Sequence, residues 1–155
     1  MRKKDREITD ILLIERIISQ CDVCRIALAD NNIPYIVTMN FGYSGGDKKY
    51  LWFHCANEGR KLDMIRKNNY VCFEMDTDHL IAEGRIACDF TMKYSSIIGY
   101  GTVSIVEDPV EKKNGLDQIM HHYTGKKEFT YKAGTFERTT ILRLEISDMK
   151  GKHSK

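Results

Sequence analysis

The chain has 155 residues, 42% of them apolar and 10% aromatic, with 24 Lys and Arg against 22 Asp and Glu, for a formal net charge of +2. Those apolar residues and that near-balance of charge exclude a disordered chain, and the length suits a single domain, 1–155, since two would each bury too little surface. The small net charge argues against nucleic acid, no apolar run is long enough to span a bilayer, and five cysteines, an odd number, argue against a disulfide framework.

The opening Met1-Arg2-Lys3-Lys4-Asp5 leads into no signal-peptide core, so a soluble, cytoplasmic protein is expected. Ile8, Ile11, Leu12, Ile14, Ile17 and Ile18 recur at helical spacing and predict an amphipathic helix over Ile8–Gln20, with Thr9 or Asp10 as N-cap. The period then falls to two. Cys24, Ile26 and Leu28 alternate in one strand, Asp30-Asn31-Asn32 makes a turn, and Tyr35, Val37, Met39 and Phe41 alternate in the next. Gly42 to Lys48 is a looser turn, and Tyr50 to His54 is a third strand, apolar on both faces and therefore central.

Glu58 to Lys67 reads as a short helix with Leu62 and Ile65 inward, and Tyr70 to Asp76 alternates again. Thr77 to Met92 has no clean period and is expected to be a long excursion. Tyr94 to Glu107 is the longest strand, with Gly99 and Gly101 on one face where a bend or a close backbone approach is expected. Asp108-Pro109-Val110-Glu111 is a helix start, Leu116, Ile119, Met120 and Tyr123 its buried stripe, and Gly125 its stop. Thr139 to Ile146 is a last strand, and Lys150 to Lys155 a loose basic tail. Strands in mostly sequential order with helices outside the run predict a mainly β, α+β fold: a six-stranded antiparallel β-barrel with flanking helices.

Three segments can carry chemistry. In His54-Cys55-Ala56-Asn57-Glu58-Gly59-Arg60-Lys61 a strand ends, a small-residue turn follows, and a helix begins beside two cations. Free N–H groups there, with Arg60 and Lys61, would cradle a phosphate; the other reading is that these are solvated helix charges. In Pro34 to Phe41 a strand backbone with Thr38 and Asn40 can hydrogen-bond the edge of a flat heterocycle, or form an ordinary half-buried strand. Met92-Lys93-Tyr94-Ser95-Ser96 sets two hydroxyls and a lysine where the excursion re-enters a strand.

The pattern Pro-Tyr-Ile-Val-x-x-Asn-Phe-Gly-Tyr, then Phe-His-x-Ala-x-Glu-Gly-Arg-Lys, then Met-Lys-Tyr-x-Ser-x-Ile-Gly-Tyr-Gly resembles the 5-nitroimidazole-resistance (Nim-type) flavoproteins. Those belong to the pyridoxamine 5′-phosphate oxidase-like superfamily, and the resemblance runs in order from Arg6 to Arg143. It implies an FMN-binding split β-barrel that forms a homodimer with the flavin at the subunit interface. By position, Thr38, Met39 and Asn40 would run beside the isoalloxazine ring, Arg60 and Lys61 would hold the phosphate, and Ser95 and Ser96 would contact the ribityl-phosphate end. His54 matches a histidine near the flavin that is proposed to take part in reduction, and Cys55 stands beside it where those proteins have a small residue. The C-terminal Trp and Arg that shape the vitamin site of true pyridoxamine-phosphate oxidases are not recognisable here. The activity implied is an oxidoreductase, recharged by NAD(P)H, passing electrons to a small nitro or quinone acceptor. FAD in place of FMN, and a non-catalytic flavin store or sensor, are the readings left beside it.

Cys21 and Cys24 have the spacing of half a zinc site, but no second pair exists, so Cys24 reads as a buried strand residue and Cys21 as a helix end. His121-His122 reads as a surface feature near a helix C-terminus. No metal is expected, and no basic stripe supports single-stranded nucleic acid on the aromatic-rich barrel.

Overall fold

Asp10 sets the start of the first helix: its carboxylate accepts from the backbone N–H of Leu12 at 3.0 Å, so the helix (α1) spans Ile11–Gln20. Ile8, expected inside that helix, instead forms a two-residue strand, β1 (Glu7–Ile8). The computed structural model describes residues 4–154, and their strands form one antiparallel sheet of eight. After α1 come β2 (Cys24–Asp30), β3 (Ile33–Met39), β4 (Phe41–Ser44) and β5 (Tyr50–Ala56). Then follow α2 (Arg60–Lys67), β6 (Tyr70–Ala82), β7 (Thr91–Val106), α3 (Pro109–Thr124), α4 (Ala133–Glu137) and β8 (Thr139–Ser154).

Asn31 and Asn32 both take positive φ, 50° and 63°, as a tight two-residue hairpin between β2 and β3 requires. The sheet order is β3-β2-β6-β7-β8-β5-β4, with β1 added on β8. β3 and β4 are thus consecutive in the chain yet lie at opposite ends of the sheet. The sheet rolls until the inward residues of these strands, among them Ile26, Phe41, Phe53, Phe73, Ile97 and Leu142, share one core closed by α1 and α2. This is the expected antiparallel split β-barrel, with eight strands rather than six. One addition is β1; the other arises because the predicted strand through Phe41 changes partner at Asn40.

At that change of partner the N–H of Phe41 donates to the Tyr123 hydroxyl at 3.1 Å, and the hydroxyl donates to the carbonyl of Asp22 at 2.7 Å. One phenol therefore ties β4 and the α1–β2 link to α3. His122, expected at the surface, lies against the Phe41 ring with centroids 4.3 Å apart, and its Nε2 is 2.8 Å from the Cys21 carbonyl oxygen. The two residues next to each other on α3 thus both act as packing groups. A second, smaller core of Trp52, Val106, Ile119 and Ile141 lies under α3.

Half of the excursion over Thr77 to Met92 is strand: β6 continues to Ala82 and β7 begins at Thr91. Its side chains face solvent on both sides, which removes the alternation that marks a half-buried strand. Nor are residues 150–154 a loose tail. They are the last part of β8, where Lys152 opposes Glu7 and the buried Gly151 opposes Ile8, so the lysines are simply the outer face of a strand. Lys155 lies outside the described residues. Gly99 and Gly101 meet the expectation of close packing: a Cβ at Gly99 would lie 2.3 Å from the Phe73 ring, and one at Gly101 2.2 Å from the Glu145 carbonyl oxygen.

Among the described residues no helix is long and apolar enough to cross a membrane. Cys21 and Cys24 are both buried, and burial pushes the Cys21 thiol up to about 12 and raises that of Cys24 as well. They are packing residues, protonated at neutral pH.

The contact between β4 and α3 is backbone against backbone. A Cβ on Gly42 would sit 2.4 Å from the backbone carbon of Gln118, and backbone cannot swing aside. Gly42→Ala is expected to cost about 2 kcal/mol by overpacking, lowering Tm by roughly 4–8 °C in a thermal melt. An unchanged Tm would show that α3 is not seated on β4 in this way.

Candidate functional site

The end of β3, the end of β5, the start of α2 and the start of β8 converge on one side of the barrel. They enclose a cleft of about 460 Å³ lined by Thr38, Met39 and Asn40, by His54, Cys55 and Ala56, and by Lys61, Arg138 and Thr139. Strand parity decides what each contributes. Met39 turns into the core, and Thr38 and Asn40 on either side of it face out. On β5, Phe53 is buried and His54 is exposed, with Cys55 intermediate, and the pairing of His54 with Ile141 and of Ala56 with Thr139 brings the start of β8 alongside.

The turn between β5 and α2 is held from below. Asn57 donates to the Glu137 carbonyl at 3.2 Å and accepts from the Thr140 hydroxyl at 2.8 Å. Gly59 then takes φ 129°, a region closed to side-chain-bearing residues, and no atom lies within 4 Å of where its Cβ would be. It is the N-cap of α2 and offers no side chain to the first-turn N–H groups. Lys61, in the first turn at the positive end of the helix dipole, is the α2 residue that lines the cleft.

These groups fit a flavin nucleotide by the chemistry of the donor set. The uncapped helix start with Lys61 suits a phosphate, and the Thr38 and Asn40 side chains, with their strand backbone, suit the polar edge of a heterocycle.

The expected residues divide as follows. Thr38, Met39, Asn40, His54, Cys55 and Lys61 line the one cleft. Arg60 does not: its guanidinium lies 4.4 Å over the Tyr35 ring and faces a neighbouring groove with Asp30, Asp63 and Lys67. Successive residues of a helix point about 100° apart, and here Lys61 lines the cleft while Arg60 lines the groove beside it. Ser95 and Ser96 are not at the cleft either. Ser95 is buried with its Oγ 3.0 Å from Nδ1 of His153, in a separate cavity of about 470 Å³ beside Arg6, Arg16 and Asp78. Arg138 and Thr139 are the lining residues that sequence reasoning missed. The basic residue just before a strand was their only signal, and it became meaningful once β8 was paired with β5.

The electrostatics of the cleft are set by burial and by Lys61. Burial chiefly, and then the neighbouring ammonium, hold the His54 imidazole below its ordinary value of 6.5, so it is neutral at pH 7. The Cys55 thiol is raised by burial, with Lys61 acting the other way, and stays protonated. The cleft thus combines a neutral imidazole and thiol with two cations, Lys61 and Arg138.

A family model described as pyridoxamine 5′-phosphate oxidase matches residues 13–153. The chain belongs to this family. A candidate 5-nitroimidazole antibiotic resistance protein from Bacteroides thetaiotaomicron, known from a crystal structure, is 34% identical over 95% of this chain and 86% of that one, with a TM-score of 0.83. The flavocytochrome Anf3 from Azotobacter vinelandii is 15% identical, covering 100% of this chain and 72% of its own, with a TM-score of 0.81. A FAD-binding protein from Mesorhizobium loti is 19% identical, covering 97% of this chain and 98% of its own, with a TM-score of 0.69. At the last two identities the likeness is one of fold. No curated protein matches the chain significantly.

As a member of the pyridoxamine 5′-phosphate oxidase family, the chain places its histidine where a titration can read the cleft directly. In ligand-free protein, NMR should find His54 titrating below 6.5, and Lys61→Met should move it upward by removing the repelling charge while leaving burial in place. A wild-type value at or above 6.5 would mean that the ring is neither desolvated nor near Lys61.

Proposed function

We propose that this protein is a flavin-dependent oxidoreductase that binds FMN in the cleft at the end of β3 and β5, draws electrons from NAD(P)H and passes them to a small nitro or quinone acceptor. One observation carries the reading. Lys61, from the first turn of α2, lines the same hollow as Thr38 and Asn40, so a cation for an anionic group and a heterocycle-edge site are joined at one surface. The names of relatives lend support: one is called a candidate 5-nitroimidazole resistance protein, another a FAD-binding protein. Pyridoxamine-phosphate oxidation is not part of the reading, because the C-terminal residues of that vitamin site are not recognisable.

The bound flavin would supply hydride and electron transfer, and the protein's part is to hold and tune it. Lys61 and the α2 N–H groups neutralise the phosphate. Thr38 and Asn40 orient the ring edge, and the buried Met39 gives the strand its anchor in the core. His54 stands on the adjoining strand with a ring nitrogen available to hand a proton to the reduced oxygen of the acceptor. A pKa below 6.5 makes it a stronger acid than an ordinary histidine, but one that is loaded less often at neutral pH.

The homodimer belongs to the same proposal. Ser95 lines a different cavity from Lys61 and Ser96 lines neither, so in this reading a second copy completes the phosphate end of the site. The outer face of β3-β2-β6-β7 is suited to meet that copy. Ile36, Ala27, Cys72 and Tyr100 form one row across four strands, and the Tyr70 and Tyr100 rings stack with centroids 6.2 Å apart. Ile36, Tyr70, Ile98 and Tyr100 are all exposed there, more apolar surface than a monomer needs to show.

Purified protein is expected to be yellow or to take up FMN, and to oxidise NADH or NADPH when a nitroimidazole or quinone is present. Lys61→Met should weaken FMN about 10–100-fold, the loss of a charge-assisted contact. Turnover with a nitro acceptor should rise as pH falls toward the His54 value, and His54→Gln should flatten that acid limb. A colourless protein that refuses added FMN overturns the reading, and a yellow one without turnover reduces it to a flavin store or sensor.

A further inference from the structure

Beyond the barrel, β6 and β7 run on as a two-stranded arm. Leu80 pairs with Lys93, Ile81 with Met92 and Ala82 with Thr91. At its root a register shift between Thr77 and Leu80, with Asp78 at φ 61°, re-aims the strands. The tip is closed tightly: a Cβ on Gly84 would lie 2.2 Å from Cβ of Asp89. Leu80, Ile81, Ile86, Phe90 and Met92 are between 43% and 63% exposed along it. A two-stranded ribbon is marginal in water by itself, and five large apolar side chains in solvent leave it without a core.

The cleft has the opposite lack. Met39 and Ala56 are its apolar lining, and the rest is polar or charged, whereas sites for flat heterocycles are walled mostly by apolar side chains. The arm tip carries Glu83 and Asp89 against the single cation Arg85, and the cleft carries Lys61 and Arg138. The arm is also continuous with Ser95. Met92 precedes it by three residues of extended strand, about 10 Å. A copy that brings Ser95 to this cleft must bring its arm as well. With Ile36, Tyr70, Ile98 and Tyr100, the arm exposes apolar area on the order of the ~800 Å² that one partner of a standard interface buries.

We propose that the arm of one copy lies across the strand-end cleft of a second copy of this chain, where Ile86 and Phe90 supply the apolar wall that the cleft lacks and select flat aromatic acceptors. The proposal rests on the flavin-site reading for the acceptor, but the seating of the arm can be tested without flavin. Cys88 is exposed at the arm tip and Cys55 is half-buried in the cleft, while Cys21 and Cys24 are buried. In a Cys72→Ser background, a short bis-maleimide should convert the protein to a covalent dimer on a denaturing gel, with peptide mapping joining Cys55 to Cys88. Either Cys55→Ser or Cys88→Ser should abolish the dimer.

Phe90→Ala combined with Ile86→Ser should raise the KM for a nitroaromatic acceptor about tenfold, the transfer value of apolar contacts of this size, and leave Tm unchanged because both side chains are exposed. A dimer linked Cys88 to Cys88, or the absence of any link, overturns the arm proposal, as does an unchanged KM in the double variant. A Cys55–Cys88 link in protein that takes up no FMN supports the seating and overturns the flavin reading instead.

Discussion

The structure depends on a single connector. β3 ends at Met39 hydrogen-bonded to β2, β4 begins at Phe41 hydrogen-bonded to β5, and only Asn40 lies between them. One residue carries the chain from one end of the sheet to the other, and this is possible only if the sheet has rolled until its two edges stand side by side. The edges then cannot both satisfy their backbone groups from the ladder. The Tyr123 hydroxyl takes the Phe41 N–H at the point where pairing changes. The cleft opens where the strands part, so the place that ordinary pairing fails to close is where polar side chains and a helix start are left facing a hollow.

That origin explains the mixed character of the site. Its floor is core, through Met39; its rim is polar, through Thr38, Asn40 and His54; and its charge comes from the start of a helix and the start of a strand. Burial and one ammonium act on His54 in the same direction, so its protonation state follows anything that changes either. A bound anion at Lys61 would oppose the second effect while deepening the first. Of the polar groups that the family resemblance assigns, Ser95 lies elsewhere, in the cavity of His153, and Arg60 faces a groove of its own.

Much of this was legible in the amino-acid order. The Asp30-Asn31-Asn32 turn, the buried alternation of β2 and the Asp108-Pro109 helix start are local signals, and each took its expected form. The split at Asn40 was not legible, because Met39 and Phe41 both point inward with Asn40 outward, and the period of two runs straight through a change of partner. The arm was hidden for the converse reason: strands wet on both faces have no period. The lysines of 150–154 looked like a tail because composition speaks louder than parity once a strand's inward residue is glycine. Thr38, Met39, Asn40, His54, Cys55 and Lys61 were found through a resemblance, whereas Arg138 and Thr139 needed the pairing of β8 with β5. The direction of Arg60 needed the helix itself.

The lone connector also limits how the chain can drift. Loops usually tolerate insertions, because an added residue bulges into solvent. Here an extra residue beside Asn40 would turn either Met39 or Phe41 outward, or shift every inward side chain of one strand by a place, since side chains alternate with a period of two. Length variation among descendants of such a chain would have to collect elsewhere, at the β4–β5 turn, at the tip of the arm or between α3 and α4. The joint at the split would stay at one residue.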